Sequence, residues 1–271
     1  TIKYVKGTLA VVHNGNLVGI DQLRRSFEYQ GAIFHTTSDS ELIAYAIAQE
    51  RLRCASVEEA VVRATANLRG AFSLLVMSPQ KLIACRDPWG FRPLCMGRKG
   101  DAVLFGSESC AIQAVGGTVE RELDPGEVVV VQDGRTRSIR DNCRGLSHMC
   151  VFEYIYFARP DSVIAGQSVH RARLNAGRLL ARQAPVEADL VVGVPDSGLD
   201  AAPGYALESG IPNGMGFVKN RYIGRTFITP DQASREQAVR IKLSALASEV
   251  AGRRVVMVDD SIVRGTTCRQ I

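Results

Sequence analysis

The chain has 271 residues, 46% of them hydrophobic and 23% charged, with a formal net charge of +5. That composition supports one large domain or two ordinary ones with real cores, and the charge is too modest to indicate a nucleic-acid partner. No apolar run approaches the roughly 20 residues that cross a bilayer and no stretch resembles a signal peptide, so no membrane association and a cytoplasmic location are expected.

In chain order, Thr8 to Val12 is a β-rich run that ends at His13-Asn14-Gly15-Asn16, where an Asn-Gly pair tolerates the positive φ of a tight turn. Leu17 to Tyr29 has helical periodicity. Ser38-Asp39-Ser40-Glu41 has Ser and Glu at capping-box spacing before an apolar stretch, which predicts a helix start, and Ser56 to Glu59 repeats the signal for a helix to about Leu68. From Ala71 to Arg140, short apolar runs (Phe72 to Met77, Leu82 to Cys85, Val103 to Phe105, Glu127 to Gln132) alternate with turns such as Asp87-Pro88-Trp89-Gly90 and Asp124-Pro125-Gly126, which predicts an antiparallel sheet. Asp141 to Met149 breaks this pattern and is read as a domain junction, with domains at 1–148 and 149–271.

Beyond the junction the rhythm changes. A helix near Ser168 to Gln183 is followed by a buried-type strand Leu190 to Val194, the turn Pro195-Asp196-Ser197-Gly198 and a helix to about Glu208. A basic loop, a helix near Ser234 to Ser248, a strand Arg254 to Val258 and the start of another helix complete it. Strands alternating with helices predict a parallel α/β sheet with functional loops at the carboxyl ends of its strands. Thr1 is not an initiator methionine and Ile271 falls just inside a predicted helix, so the sequence is read as a fragment cut at both ends.

The seven cysteines (Cys54, Cys85, Cys95, Cys110, Cys143, Cys150, Cys268) are scattered with no C-x-x-C pair, so neither a disulfide framework nor a self-contained zinc site is indicated. Two basic clusters stand out. His170, Arg171, Arg173, Arg178 and Arg182 on a predicted helix read as a solvated face, whereas Lys219, Arg221 and Arg225 in a Gly-containing loop read as anion ligands.

The most informative string runs from Val255 to Thr267. An apolar strand delivers Asp259 and Asp260 to its tip, where adjacent like charges are unfavourable unless a cation or hydroxyl donors engage them. Hydroxyl-bearing Ser261, Thr266 and Thr267 follow, with Gly265 and the cationic Arg264, a run able to wrap a phosphate at a helix N-terminus. The spacing does not match a nucleotide P-loop. A strand-to-helix turn with an acidic cap would account for one Asp and one Ser but not for the whole string.

That string resembles the phosphoribosylpyrophosphate (PRPP) signature of the type I phosphoribosyltransferases. The resemblance implies that Asp259 and Asp260 hold ribose hydroxyls and that Ser261 to Thr267 hold the 5′-phosphate. Val194 to Gly198, with Asp196 and Ser197, then resembles the pyrophosphate loop, and Lys219 to Ile228, with Lys219, Arg221 and Arg225, resembles the flap that closes over PRPP. Together with Glu153 to Ser162, the second half is similar to the glutamine PRPP amidotransferases. In the first half, His13-Asn14-Gly15-Asn16-Leu17 and Thr36-Thr37-Ser38-Asp39-Ser40-Glu41 resemble glutaminase motifs of the N-terminal nucleophile amidotransferases. There the Asn side chain and the Gly N–H form the oxyanion hole and the Asp binds the amino group of glutamine, roles that fall to Asn14, Gly15 and Asp39.

The implied fold is α/β and α+β: a glutaminase domain of antiparallel sheets with helices, then a transferase domain with a parallel sheet, each incomplete. The implied activity is transfer of glutamine-derived ammonia to C1 of PRPP, opening purine synthesis, with Mg²⁺ near Ser197, Asp259 and Asp260. Purine nucleotides as inhibitors and a homo-oligomer are further implications. Cys150 lies where some members supply a ligand of a [4Fe-4S] cluster and others carry a plain thiol; both readings stay open. The chain departs from the family in supplying neither the N-terminal nucleophilic cysteine nor an arginine before Thr8, so no glutamine hydrolysis is expected from this chain alone. A PRPP-binding regulator without catalysis is the alternative, and a hexosamine-forming amidotransferase is disfavoured because it needs no PRPP site.

Overall fold

The computed structural model describes residues 1–220 and 243–262, which fall into two compact units. One comprises Thr1–Glu153 with Val163–Ala165, the other Tyr154–Ser162 with the chain from Gly166 on. Among the described residues no helix is long and apolar enough to cross a membrane.

The first unit contains β1 (Ile2–Tyr4), β2 (Gly7–Leu17), α1 (Ile20–Glu28), α2 (Asp39–Arg53), α3 (Val57–Asn67), β3 (Gly70–Met77), β4 (Leu82–Arg86), β5 (Cys95–Lys99), β6 (Ala102–Gly106), α4 (Ser109–Ala114), β7 (Thr118–Glu122), β8 (Val128–Gln132), β9 (Arg135–Ile139) and β10 (Val163–Ile164). A six-stranded antiparallel sheet runs in the order β1-β2-β3-β4-β8-β9, and a second, three-stranded one in the order β6-β5-β7. Helices α2 and α3 pack together, and α2 lies against β2. The main core gathers Leu9, Leu42, Ile43, Ile47, Val61, Phe72, Leu74, Val76 and Ile83, which joins the apolar face of the sheet to the apolar stripes of α2 and α3.

The antiparallel expectation holds, and four local expectations are corrected. His13 to Asn16 is not a turn: β2 runs straight through it, with Asn14 opposite Ser73 and Gly15 opposite Phe72. Pairing across a long register supplies more backbone bonds than a tight turn would. The helix predicted from Leu17 starts at Ile20, because Leu17 is a buried strand residue and Gly19 makes the left-handed entry at φ 72°. The capping box at Ser38 forms only in part, since the Ser38 hydroxyl accepts from Ser40 N at 3.2 Å while the Glu41 carboxylate reaches past Ser38 to His35 and Thr36. Finally β5, β7, β9 and α4 went unpredicted; β9 (RTRSI) has no apolar alternation and is held by pairing with β8.

The second unit contains a single π-helical turn at Glu153–Phe157, which overlaps its start, then β11 (Gln167–Ser168), α5 (Val169–Gln183), β12 (Leu190–Gly193), α6 (Gly198–Ser209), β13 (Asn213–Gly214), β14 (Phe217–Lys219), β15 (Leu243–Ala245), a one-turn helix Ala247–Val250 and β16 (Val255–Val258). Ser168 caps α5, its hydroxyl accepting from Arg171 N at 3.3 Å. A parallel sheet runs β13-β12-β16, with Val191, Ala202, Tyr205 and Val258 packed between it and α6. The helix predicted over Ser234 to Ser248 lies partly outside the described residues, and its end is corrected. Leu243 to Ala245 pairs antiparallel with β14, with Ala245 opposite Phe217, and Leu243 packs against the apolar cluster of Leu190, Val192, Val194 and Phe217.

Candidate functional site

Each unit carries one group of candidate residues. In the first, β2 brings Asn14 and Gly15 to adjacent positions, and Asp39 opens α2. The two elements are tied where Leu17 N, at the end of β2, donates to Asp39 Oδ2 at 2.8 Å. Gly15 sits at φ 152°, and a Cβ there would lie 2.0 Å from the Ala71 carbonyl oxygen. Close backbone approach, rather than a turn, requires the glycine. Asn14 is exposed, and its Nδ2 donates to Ser107 Oγ at 2.9 Å. Ser107 was not legible as a partner because 93 residues separate the two.

His13 points the other way from Asn14, as alternation along a strand requires. Its Nε2 is buried with no hydrogen-bond partner. Burial, and to a lesser extent the charge of Arg92, pushes its pKa down, although the nearby Asp39 carboxylate and a bond to the Ala71 backbone oppose this.

In the second unit the parallel pairing of β12 with β16 sets two strand tips side by side, with Leu190 opposite Val255 and Gly193 opposite Val258. One tip leads into Val194-Pro195-Asp196-Ser197, the other into Asp259-Asp260. Ser197 Oγ donates to Asp260 Oδ2 at 2.6 Å, Ser261 Oγ donates to Asp260 Oδ1 at 2.7 Å, and Asp260 N donates to Asp259 Oδ1 at 2.9 Å. Lys219 pairs with Asp196, and the Pro195-Asp196 peptide is cis. A Cβ on Gly198 would meet the Val258 carbonyl oxygen at 2.1 Å, so the glycine allows the tips to close on one another. Burial, reinforced by the charge of Asp260, holds the Asp259 carboxyl above its usual range, against the bond from the Asp260 N–H. Such a pair gains by taking up a cation or hydroxyl donors, and the N-terminus of α6 beside it favours negative charge.

The predicted Asp196, Ser197, Lys219, Asp259, Asp260 and Ser261 are therefore brought together. Arg221, Arg225, Arg264, Gly265, Thr266 and Thr267 lie outside the described residues. The reading of the α5 cluster as a solvated face is corrected for Arg173, which is 5% exposed. Its guanidinium donates to the Tyr154 and Ala158 carbonyls at 2.7 Å and pairs with Asp200, so it holds the chain entry onto α6. Arg182 pairs with Glu208 at 2.6 Å. Cys150 is half-buried, its N–H donating to the Phe91 carbonyl at 3.2 Å. Among the described residues no three His, Cys, Asp or Glu side chains gather as a metal cage.

A glutamine amidotransferase domain family matches residues 2–114. The amidophosphoribosyltransferase of Bacillus subtilis is 50% identical over 98% of this chain and 55% of its own length. That of Archaeoglobus fulgidus is 47% identical over 100% of this chain and 59% of its own. Among solved structures, glutamine PRPP amidotransferase from B. subtilis, complexed with ADP and GMP, superposes with a TM-score of 0.87 at 49% identity, covering 99% of this chain and 59% of that one. A second, described as the allosteric regulatory enzyme of purine biosynthesis, gives 0.85 at 49%, covering 97% of this chain and 56% of that one. The chain thus spans 55–59% of these curated relatives.

Proposed function

We infer, from the similarity of this chain over nearly all its residues to amidophosphoribosyltransferases, that it belongs to that family and serves the transfer of glutamine-derived ammonia to C1 of PRPP. The products are 5-phosphoribosylamine, pyrophosphate and glutamate. The first unit is read as the glutaminase domain and the second as the phosphoribosyltransferase domain. The observation that carries the reading is the contact between the two strand tips, where Ser197 meets Asp260 beside Asp259.

In the glutaminase unit, the Asn14 amide and the Gly15 N–H are two donors for the oxygen of a tetrahedral intermediate, and Asp39 faces the substrate amino group. One hydrogen of the Asn14 amide is engaged by Ser107, which fixes the direction of the other. In the second unit, Asp259 and Asp260 orient the ribose hydroxyls while Asp196, Ser197 and Lys219 meet the pyrophosphate. Arg221, Arg225 and the loop Ser261 to Thr267, with Arg264, Gly265 and Thr266, complete the anion contacts. Loss of pyrophosphate builds positive charge on the sugar, so positioning and charge balance do the work rather than a covalent protein group.

The donors at the tips are hard oxygens, two carboxylates and a hydroxyl, and they fit Mg²⁺, which is commonly held by one or two carboxylates together with substrate phosphates. Ser197, Asp259 and Asp260 would hold it, and it would supply charge neutralisation on the leaving pyrophosphate. Cys150 keeps both readings, a plain thiol or one ligand of a [4Fe-4S] cluster, and no step is assigned to a cluster. Purine nucleotides as inhibitors and assembly into a homo-oligomer belong to the same reading.

Calorimetry of PRPP with Mg²⁺ on the complete natural protein tests the assignment. Asp259→Asn together with Asp260→Asn is expected to weaken binding by at least about tenfold, as loss of charge-assisted bonds implies. Unchanged affinity would refute it.

A further inference from the structure

The segment that delivers Asp39 has no strand or helix of its own. Residues Ile33 to Ser38 are mostly exposed, and a binding carboxylate at the end of a loose segment would sample many directions. Three side chains on two helices hold the segment instead. From α1, Arg24 Nη1 donates to the Thr36 carbonyl at 2.9 Å, with its guanidinium 4.3 Å from the centre of the Phe34 ring. From α2, the Tyr45 hydroxyl donates to the Ile33 carbonyl at 2.6 Å.

The third is Glu41, and it makes the most bonds. Its carboxylate accepts from His35 N at 2.9 Å, Thr36 N at 2.8 Å and Thr36 Oγ1 at 2.7 Å. The Thr36 hydroxyl in turn accepts from Ser38 N at 3.2 Å. A glutamate at this spacing ordinarily caps its own helix by bonding the N-cap N–H. Here that N–H is taken by Thr36, and Glu41 serves the loop instead. A short chain of bonds therefore leads from Glu41 through Thr36 to Ser38, next to Asp39, whose own carboxylate accepts from Leu17 N.

We propose that Glu41 is a positioning residue of the glutamine subsite, acting through the 33–38 segment to aim Asp39 at the substrate amino group. This rests on the reading of Asp39 as the ligand of that amino group. Glu41 makes no substrate contact. Its carboxylate preorganises the loop, so its loss is felt as weaker binding of a substrate that carries the amino group.

The test uses the complete natural protein and two substrates: glutamine, and the analogue in which hydrogen replaces the α-amino group. Glu41→Ala is expected to raise KM for glutamine about tenfold with kcat within about threefold, and to leave KM for the analogue unchanged. Glu41→Gln, which retains one acceptor oxygen, should fall between the natural protein and Glu41→Ala, and it carries the comparison if Glu41→Ala does not fold. An equal-fold loss on both substrates, or a loss confined to kcat, overturns the positioning role while leaving Asp39 in place. If the natural protein itself treats the two substrates alike, the Asp39 reading fails and the proposal falls with it.

Discussion

Glu127 is fully buried, and its carboxylate accepts from Arg121 Nη1 at 2.8 Å, Arg121 Nη2 at 2.7 Å, Ser138 Oγ at 2.6 Å and Asp124 N at 2.8 Å. Burial alone would push its pKa up, but these bonds and the charge of Arg121 outweigh it and take the group from the ordinary 4.5 down to about 2. At about 1.36 kcal/mol per pH unit, that depression corresponds to roughly 3 kcal/mol of folded-state preference for the carboxylate. Arg121 is 38% exposed, so screening reduces the figure to about 2 kcal/mol. Because the folded pKa is the lower one, this stability is fully present above about pH 5 and is lost as pH falls toward 2. Glu127→Gln should therefore lower the stability of the first unit by about 2 kcal/mol at pH 7 and by little near pH 2. The assay is urea unfolding followed by the fluorescence of Trp89, the single tryptophan, which lies in the same unit. A difference that stays constant between pH 7 and pH 2.5 would refute the argument, because it would mean that packing and not the ionised network is what Glu127 contributes.

Gly15→Ala places a Cβ 2.0 Å from the Ala71 carbonyl oxygen and should cost about 3 kcal/mol or more, seen as a drop in the urea midpoint. Gly19→Ala, also at positive φ but in open space, should cost only about 1 kcal/mol, so equal effects would contradict the close-approach argument. Ser197→Ala removes the donor to Asp260 and should weaken PRPP binding about tenfold by calorimetry; a change under about twofold would count against the site. Burial pushes the Cys85 thiol up to about 12 and the Cys95 thiol up to about 11. Neither should be labelled by iodoacetamide at pH 8 in the folded protein, whereas half-buried Cys150 should be the faster of the three by mass spectrometry.

Much of the architecture could be read locally. The helix starts at Ser38, Ser56 and Ser168 depend on a hydroxyl reaching an N–H two or three residues ahead, as the structure shows. The string Val255 to Asp260 declares a strand and its acidic tip within six neighbouring residues, and β16 forms there. Asn14, Gly15 and Asp39 were likewise legible, but only as motif words, since nothing in the residues themselves says that Leu17 N will hold Asp39.

What required the tertiary structure was everything settled by a distant partner. Asn14-Gly15 is compatible with a turn until pairing with Ser73 and Phe72 makes it a strand. Leu243 to Ala245 became a strand because Phe217 offered its pairing and packing. The link from Ser197 to Asp260 spans 63 residues and exists because β12 and β16 run parallel in register. Local sequence determines caps, periodicity and which chemistry is available. Long-range backbone pairing and burial, which no short window contains, decide which of those groups meet.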